Sequence, residues 1–156
     1  MGSKILVAFD ESENAMRAVE FIAENFNTAS HVTLMSVIPD TAALCEMNSP
    51  ELIPYFRSQQ SNFCILEDKK KEVVRKALDN AREKLLDAGF AKDKVALRVE
   101  TKKRGVARDI IEEANAGYDT LVMGRRGLSG VKEFFLGSVS QKVLSLTKDI
   151  SVVIVN

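Results

Sequence analysis

Ile5-Leu6-Val7-Ala8-Phe9 is a nearly continuous apolar run that stops at Asp10. A strand with one wet face alternates apolar and polar residues. A run without alternation fits a strand covered on both faces, as in a parallel sheet. Working outward, Ser12 is a good helix N-cap, and Ala15, Val19, Ile22 and Phe26 then recur at helical spacing. Val32-Thr33-Leu34-Met35-Ser36-Val37 reads as a second strand. A strong helix is expected from Glu67, with Val74, Ala77, Leu78, Ala81, Leu85 and Ala88 as its apolar stripe and Gly89 as its stop. Val95-Ala96-Leu97-Arg98-Val99 is strand three, and Gly105 opens a helix carrying Ile110, Ile111 and Ala114. Thr120-Leu121-Val122-Met123 is strand four, ended by Gly124. Val139, Val143 and Leu146 mark a final helix, and Val152-Val153-Ile154-Val155 is the last strand.

Five strands alternating with helices predict an α/β fold, with an open parallel sheet between two helical layers. The whole chain of 156 residues fits one domain, residues 1–156. Residues 39–66 carry no clean periodicity and hold Pro50, Pro54, Cys45 and Cys64. A loop of that length is unusual in a compact domain, so an irregular insert is expected there, a lid, an interface or a partly helical stretch. In such sheets ligands bind at the carboxyl ends of the strands, where strand order reverses. That rule gathers Asp10, Val37 and Gly124 at one crevice.

Composition narrows the function. Apolar residues make up 46% and charged residues 28%, an ordinary globular profile. No apolar run approaches the ~20 residues of a membrane helix, and the start resembles neither a signal peptide nor a myristoylation site. A cytoplasmic protein with no membrane role is expected. Lys+Arg and Asp+Glu are both 22, so the basic excess of a nucleic-acid binder is missing and no nucleic-acid partner is expected. Two cysteines make no disulfide framework and are read as free thiols. The single histidine, His31, excludes zinc sites built on several histidines.

The chemistry concentrates in Gly124-Arg125-Arg126-Gly127, nine residues, then Gly137-Ser138-Val139-Ser140. Glycines let backbone N–H groups approach an anion, and a helix N-terminus offers unpaired N–H groups and partial positive charge. Ser138 and Ser140 add hydroxyls, and Arg125 and Arg126 add charge. A plain turn with an N-cap would need only one glycine and one serine. This is not a P-loop, since no Gly-x-x-x-x-Gly-Lys-Ser/Thr occurs, and no Gly-x-Gly-x-x-Gly follows the first strand. Asp10 suits either a base amino group or a shared cap with Ser12. Val37 suits an apolar wall for a base or a strand-end core position.

With these residues in view, the chain resembles the universal stress protein family, ATP-binding branch. Lys4 to Ser12 looks like the family's opening strand with its Asp-x-Ser turn, and Gly124, Gly127, Gly137 and Ser138 meet its Gly-x2-Gly-x9-Gly-Ser/Thr motif. The resemblance implies an adenine nucleotide alpha-hydrolase-like fold with strand order 3-2-1-4-5, ATP as ligand with magnesium or manganese on its phosphates, and a homodimer, with the last strand, 151–155, as the usual edge. It places Ala8, Asp10 and Val37 at the nucleoside end with Met123 and Gly124, Gly127 near the ribose and phosphates, and Gly137, Ser138, Val139 and Ser140 on the phosphates. Arg125 stands where a small residue is common, and would clamp a phosphate or crowd the ribose. Glu11 replaces a common glycine, and Asp149-Ile150-Ser151 stands where a proline often precedes the last strand.

No catalytic residue is assigned. Phosphoryl transfer needs a group to orient the nucleophile and neutralise charge, and only Asp10 is clearly placed for it. The leading expectation is a nucleotide-dependent regulatory or stress-response module. The alternatives are a slow ATPase or autokinase using Ser138 and Ser140, a flavin carrier, for which aromatic walls are scarce, and a protein-interaction scaffold built on 39–66.

Overall fold

The structure is a computed structural model that describes residues 2–40, 54–126 and 136–156, with 54–64, 66 and 67 described as backbone. Five parallel strands form one sheet: β1 (Lys4–Ala8), β2 (His31–Ile38), β3 (Val95–Thr101), β4 (Thr120–Gly124) and β5 (Ser151–Val155). Their order is β3-β2-β1-β4-β5, as the family resemblance implies. Among the described residues four α-helices connect them: α1 (Glu13–Asn25), α2 (Pro54–Asp87), α3 (Val106–Ala114) and α4 (Ser138–Leu146).

The opening run explains the layering. Ile5, Leu6 and Val7 are each 0% exposed because successive side chains enter different cores. Ile5 and Val7 pack with Ile22 of α1 and Leu78 of α2, whereas Leu6 packs with Ile110 of α3 and Val143 of α4. Fully burying such a side chain stabilises the fold by roughly 1.5–3 kcal/mol. A polar residue anywhere in the run would therefore spoil one core or the other.

Helix α1 starts where Ser12 caps it: the Ser12 hydroxyl accepts from the Ala15 N–H at 3.2 Å. Helix α2 departs from expectation. It begins at Pro54 rather than Glu67 and runs for 34 residues, so the latter part of the 39–66 insert is helical, one of the readings the sequence left open. Proline is tolerated in a first helical turn, which needs no N–H there. The rest of the insert, 41–53, lies outside the described residues. Among the described side chains, the second half of α2 carries a buried stripe, Val74, Leu78, Ala81 and Leu85. It stops at Gly89, whose φ of 101° suits glycine alone, and the Phe90 N–H folds back to the Leu85 carbonyl at 3.1 Å.

The chain runs outward from β1 through β2 to β3, then returns to place β4 on the other side of β1. Strand order therefore reverses at β1, and the crevice opens at the carboxyl ends of β1, β2 and β4.

Candidate nucleotide site

A cavity of about 300 Å³ occupies that crevice. Its floor is apolar: Ala8 ends β1, Met35 and Val37 come from β2, Met123 from β4, and Val106 and Ile110 from α3. At its other end stand Arg126, Gly137 and Ser138, with Lys70 reaching in from α2. A flat apolar slot joined to a cationic rim matches a planar ring carrying an anionic tail.

Of the residues selected from sequence, Ala8, Asp10, Val37, Met123, Gly124, Gly137, Ser138, Val139 and Ser140 all line this one cavity. Gly127 lies outside the described residues. Arg125 is not among the lining residues. Its N–H still belongs to the sheet, donating to the Val155 carbonyl at 2.8 Å, and its guanidinium leans toward Asn156 Oδ1 at 3.4 Å. The next residue, Arg126, has left the ladder and faces the cavity instead. The cation of the site is thus displaced by one residue from the one singled out.

Three of the selected residues have structural duties the sequence does not separate from binding. Asp10 Oδ1 accepts the Ser12 N–H at 3.0 Å and also the Ser12 hydroxyl, so it braces the cap of α1 while lining the cavity. The shared-cap reading of Asp10 is observed, and the residue also stands at the cavity. Ser140 is 2% exposed, and its hydroxyl lies 3.1 Å from the Gly124 carbonyl and 3.1 Å from the Arg125 carbonyl. A hydroxyl has one proton to give. That proton holds the end of β4 against α4, so the expected gift of the Ser140 hydroxyl to a ligand is replaced by positioning. Gly124 is glycine for packing, since a Cβ there would stand 2.7 Å from the Asn14 backbone carbon of α1. Ser138, by contrast, is exposed at the first turn of α4, which has no side-chain cap. Its hydroxyl and the N–H groups of that turn are the donors left for an anion.

Sequence reasoning missed Lys70. The signal was there: Lys70 precedes Val74 by four residues on one helix face, at the mouth end of the buried stripe. Met35, Val106 and Ile110 were missed because a cavity wall and a core position have the same composition.

Behind the cavity, Asp109 of α3 organises the β3–α3 connection. Its carboxylate accepts the Lys103 N–H at 2.8 Å and the Arg104 N–H at 3.1 Å. Burial alone would raise its pKa. The N–H groups of Lys103, Arg104 and Gly105, with the Lys103 charge, outweigh that and hold it below the ordinary value. A lowered folded-state pKa means stability that is present above the unfolded pKa of about 3.9 and lost as pH falls through the folded value. Asp109→Asn is therefore expected to lower stability by about 1–3 kcal/mol at pH 7. In urea titrations the gap from wild type should close at acid pH. A gap of equal size at pH 7 and pH 3 would refute the role of the charge.

A model of the universal stress protein family matches residues 1–156. The chain belongs to the universal stress protein family. Universal stress protein YxiE of Bacillus subtilis is 32% identical over 154 residues, covering 94% of this chain and 95% of that protein. Among solved structures, the hypothetical protein MJ0577 shares 26% identity at a TM-score of 0.71, over 99% of this chain and 96% of that one. A universal stress protein of Archaeoglobus fulgidus in complex with dAMP has the same fold at 15% identity and a TM-score of 0.59, over 100% of this chain and 98% of that one. The universal stress protein fold thus accounts for the sheet order. What the cavity of this member holds is a separate matter.

Proposed function

We propose that this universal stress protein binds ATP and acts as a nucleotide-dependent regulatory or stress-response module in the cytoplasm, with little or no hydrolysis. The observation that carries the reading is the cavity itself. One crevice joins an apolar slot, Ala8, Val37 and Met123, to a rim holding Arg126, Lys70 and the uncapped start of α4. The Archaeoglobus fulgidus neighbour was solved with a nucleotide, and its likeness supports the fold, while the case for this chain rests on its own lining residues. In this pose the base lies on the apolar slot. Asp10, with Oδ1 committed to Ser12, would offer Oδ2 to a base amino group. The phosphates lie against Ser138 and Arg126.

The expected magnesium or manganese ion would sit mainly on the nucleotide's own oxygens and water. The carboxylates at the cavity are Asp10 and Glu11, and among the described residues no group of three or more metal-binding side chains occurs. Hydrolysis needs a side chain to orient water. Asp10 is already braced by the helix cap, which favours a bound nucleotide over a turning one.

Equilibrium dialysis with labelled ATP and magnesium is the test of binding. Saturable one-to-one binding is expected, and none at millimolar ATP would overturn the reading. We also propose a homodimer through β5. Among the described residues no strand lies beside its outer edge, and Ser151-Val152-Val153-Ile154-Val155 carries no charge to deter pairing. Sedimentation equilibrium giving only monomer at micromolar concentration would sink that part.

A further inference from the structure

A second cavity, of about 560 Å³, lies between α3 and α4 beside the first. Four cationic side chains line it: Lys102 and Arg104 from the β3–α3 connection, Arg108 from α3 and Lys142 from α4. No carboxylate lines it. Among the described residues none of the four is ion-paired. The acids nearest in the fold do not relieve them. Asp109 spends its carboxylate on the N–H groups of the Lys103–Arg104 connection, and Glu112 shares a neighbouring depression with Arg104 and Arg108 without forming an ion pair with either. The four cations are exposed, and an anion entering between them would be attracted by all four together.

We infer that this cavity is an oligophosphate site. Its size suits a compact small molecule rather than a folded partner. Gln141 and Ser138 add uncharged hydrogen-bond donors among the cations, as a run of phosphate oxygens requires, while the Ser145 hydroxyl is spent on the Gln141 carbonyl at 2.9 Å. Val106, Ser138 and Val139 line both cavities, so only the first turn of α4 separates them. A phosphate chain that starts at Ser138 and continues past α4 enters the second cavity. The same chemistry has two sources: a free inorganic chain, or the distal phosphates of a nucleotide with more than three. The second form rests on the nucleotide reading above; the first does not.

The test is calorimetric titration of the full chain with sodium tripolyphosphate, without magnesium and with ATP at saturation. Wild type should bind tripolyphosphate in the presence of ATP, and the Arg108→Gln/Lys142→Gln double variant should bind it about tenfold more weakly. Neither residue lines the first cavity, so ATP affinity should move less than about threefold. A parallel titration with adenosine 5′-tetraphosphate separates the sources. Tighter binding than ATP, lost in the double variant, assigns the nucleotide-linked chain. Equal binding, with tripolyphosphate still bound, assigns the free one. Tripolyphosphate that merely competes with ATP, or that binds the double variant as it binds wild type, overturns the inference. Failure of wild type to bind ATP at all overturns only the nucleotide reading, since dependence on Arg108 and Lys142 is read independently.

Discussion

Gly124→Val is expected to cost about 3 kcal/mol or more of folding stability, and Gly124→Ala about 1–3 kcal/mol. Two effects oppose each other at this position. Replacing a strand glycine with alanine restricts the unfolded chain and stabilises by roughly 0.5–1 kcal/mol. Against that, the new Cβ would sit 2.7 Å from the Asn14 carbonyl carbon and 2.8 Å from the Asn14 oxygen. Those are backbone atoms in the first turn of α1, held by the Ser12 cap, so no side chain can swing aside. The clash wins, and α1 must lift off the end of β4. At this chain length the alanine variant should melt about 2–10 °C below wild type. An alanine variant as stable as wild type would show that the approach of α1 to β4 is looser than described. Because α1 carries Ser12 and its link to Asp10, the nucleotide end of the cavity should deform as well.

Arg126→Glu should weaken ATP binding by about a hundredfold while changing adenosine binding far less. The residue lines the cavity beside Gly137 and Ser138, on the rim where a triphosphate would lie. A unit charge pair at 4 Å contributes about 4 kcal/mol at an effective dielectric constant of 20, and reversal removes an attraction and adds a repulsion. Arg126 is only half-buried, so solvent and salt screen much of this, leaving roughly 2–3 kcal/mol, or about a hundredfold. The adenosine control separates charge from shape. If ATP and adenosine weaken equally, the variant has distorted the cavity, and the assignment of Arg126 to the phosphates fails. The matching change at Arg125, whose side chain leans toward Asn156, should leave ATP affinity within about threefold.

The sheet was legible in the sequence because its central strands are wrapped on both faces. Ile5, Leu6 and Val7 admit no polar residue, and Leu121 and Val122 repeat the pattern in β4. The first turns of α2 were not legible. No clean periodicity runs through them, and Ser58, Ser61 and Asn62 favour competing local hydrogen bonds over a helix. Most of the lining of the candidate cavity was also legible, since strand ends and helix starts converge by topology. What could not be read was which duty each residue performs. Gly124 and Ser140 look like ligand groups in a glycine- and serine-rich stretch, yet one is small to admit α1 and the other ties β4 to α4. Arg125 and Arg126 differ only by where the ladder with β5 ends, and the Val155 carbonyl decides that from the far end of the chain.

The Gly137 N–H donates to the Arg125 carbonyl at 3.0 Å, and the Ser140 hydroxyl reinforces the same carbonyl. The two ends of the 126–136 segment are thereby clasped to each other rather than held apart by the sheet and α4. The end of β4 and the start of α4 therefore hold each other directly, and the helix start that faces the cavity is anchored to the sheet without reliance on the residues between them.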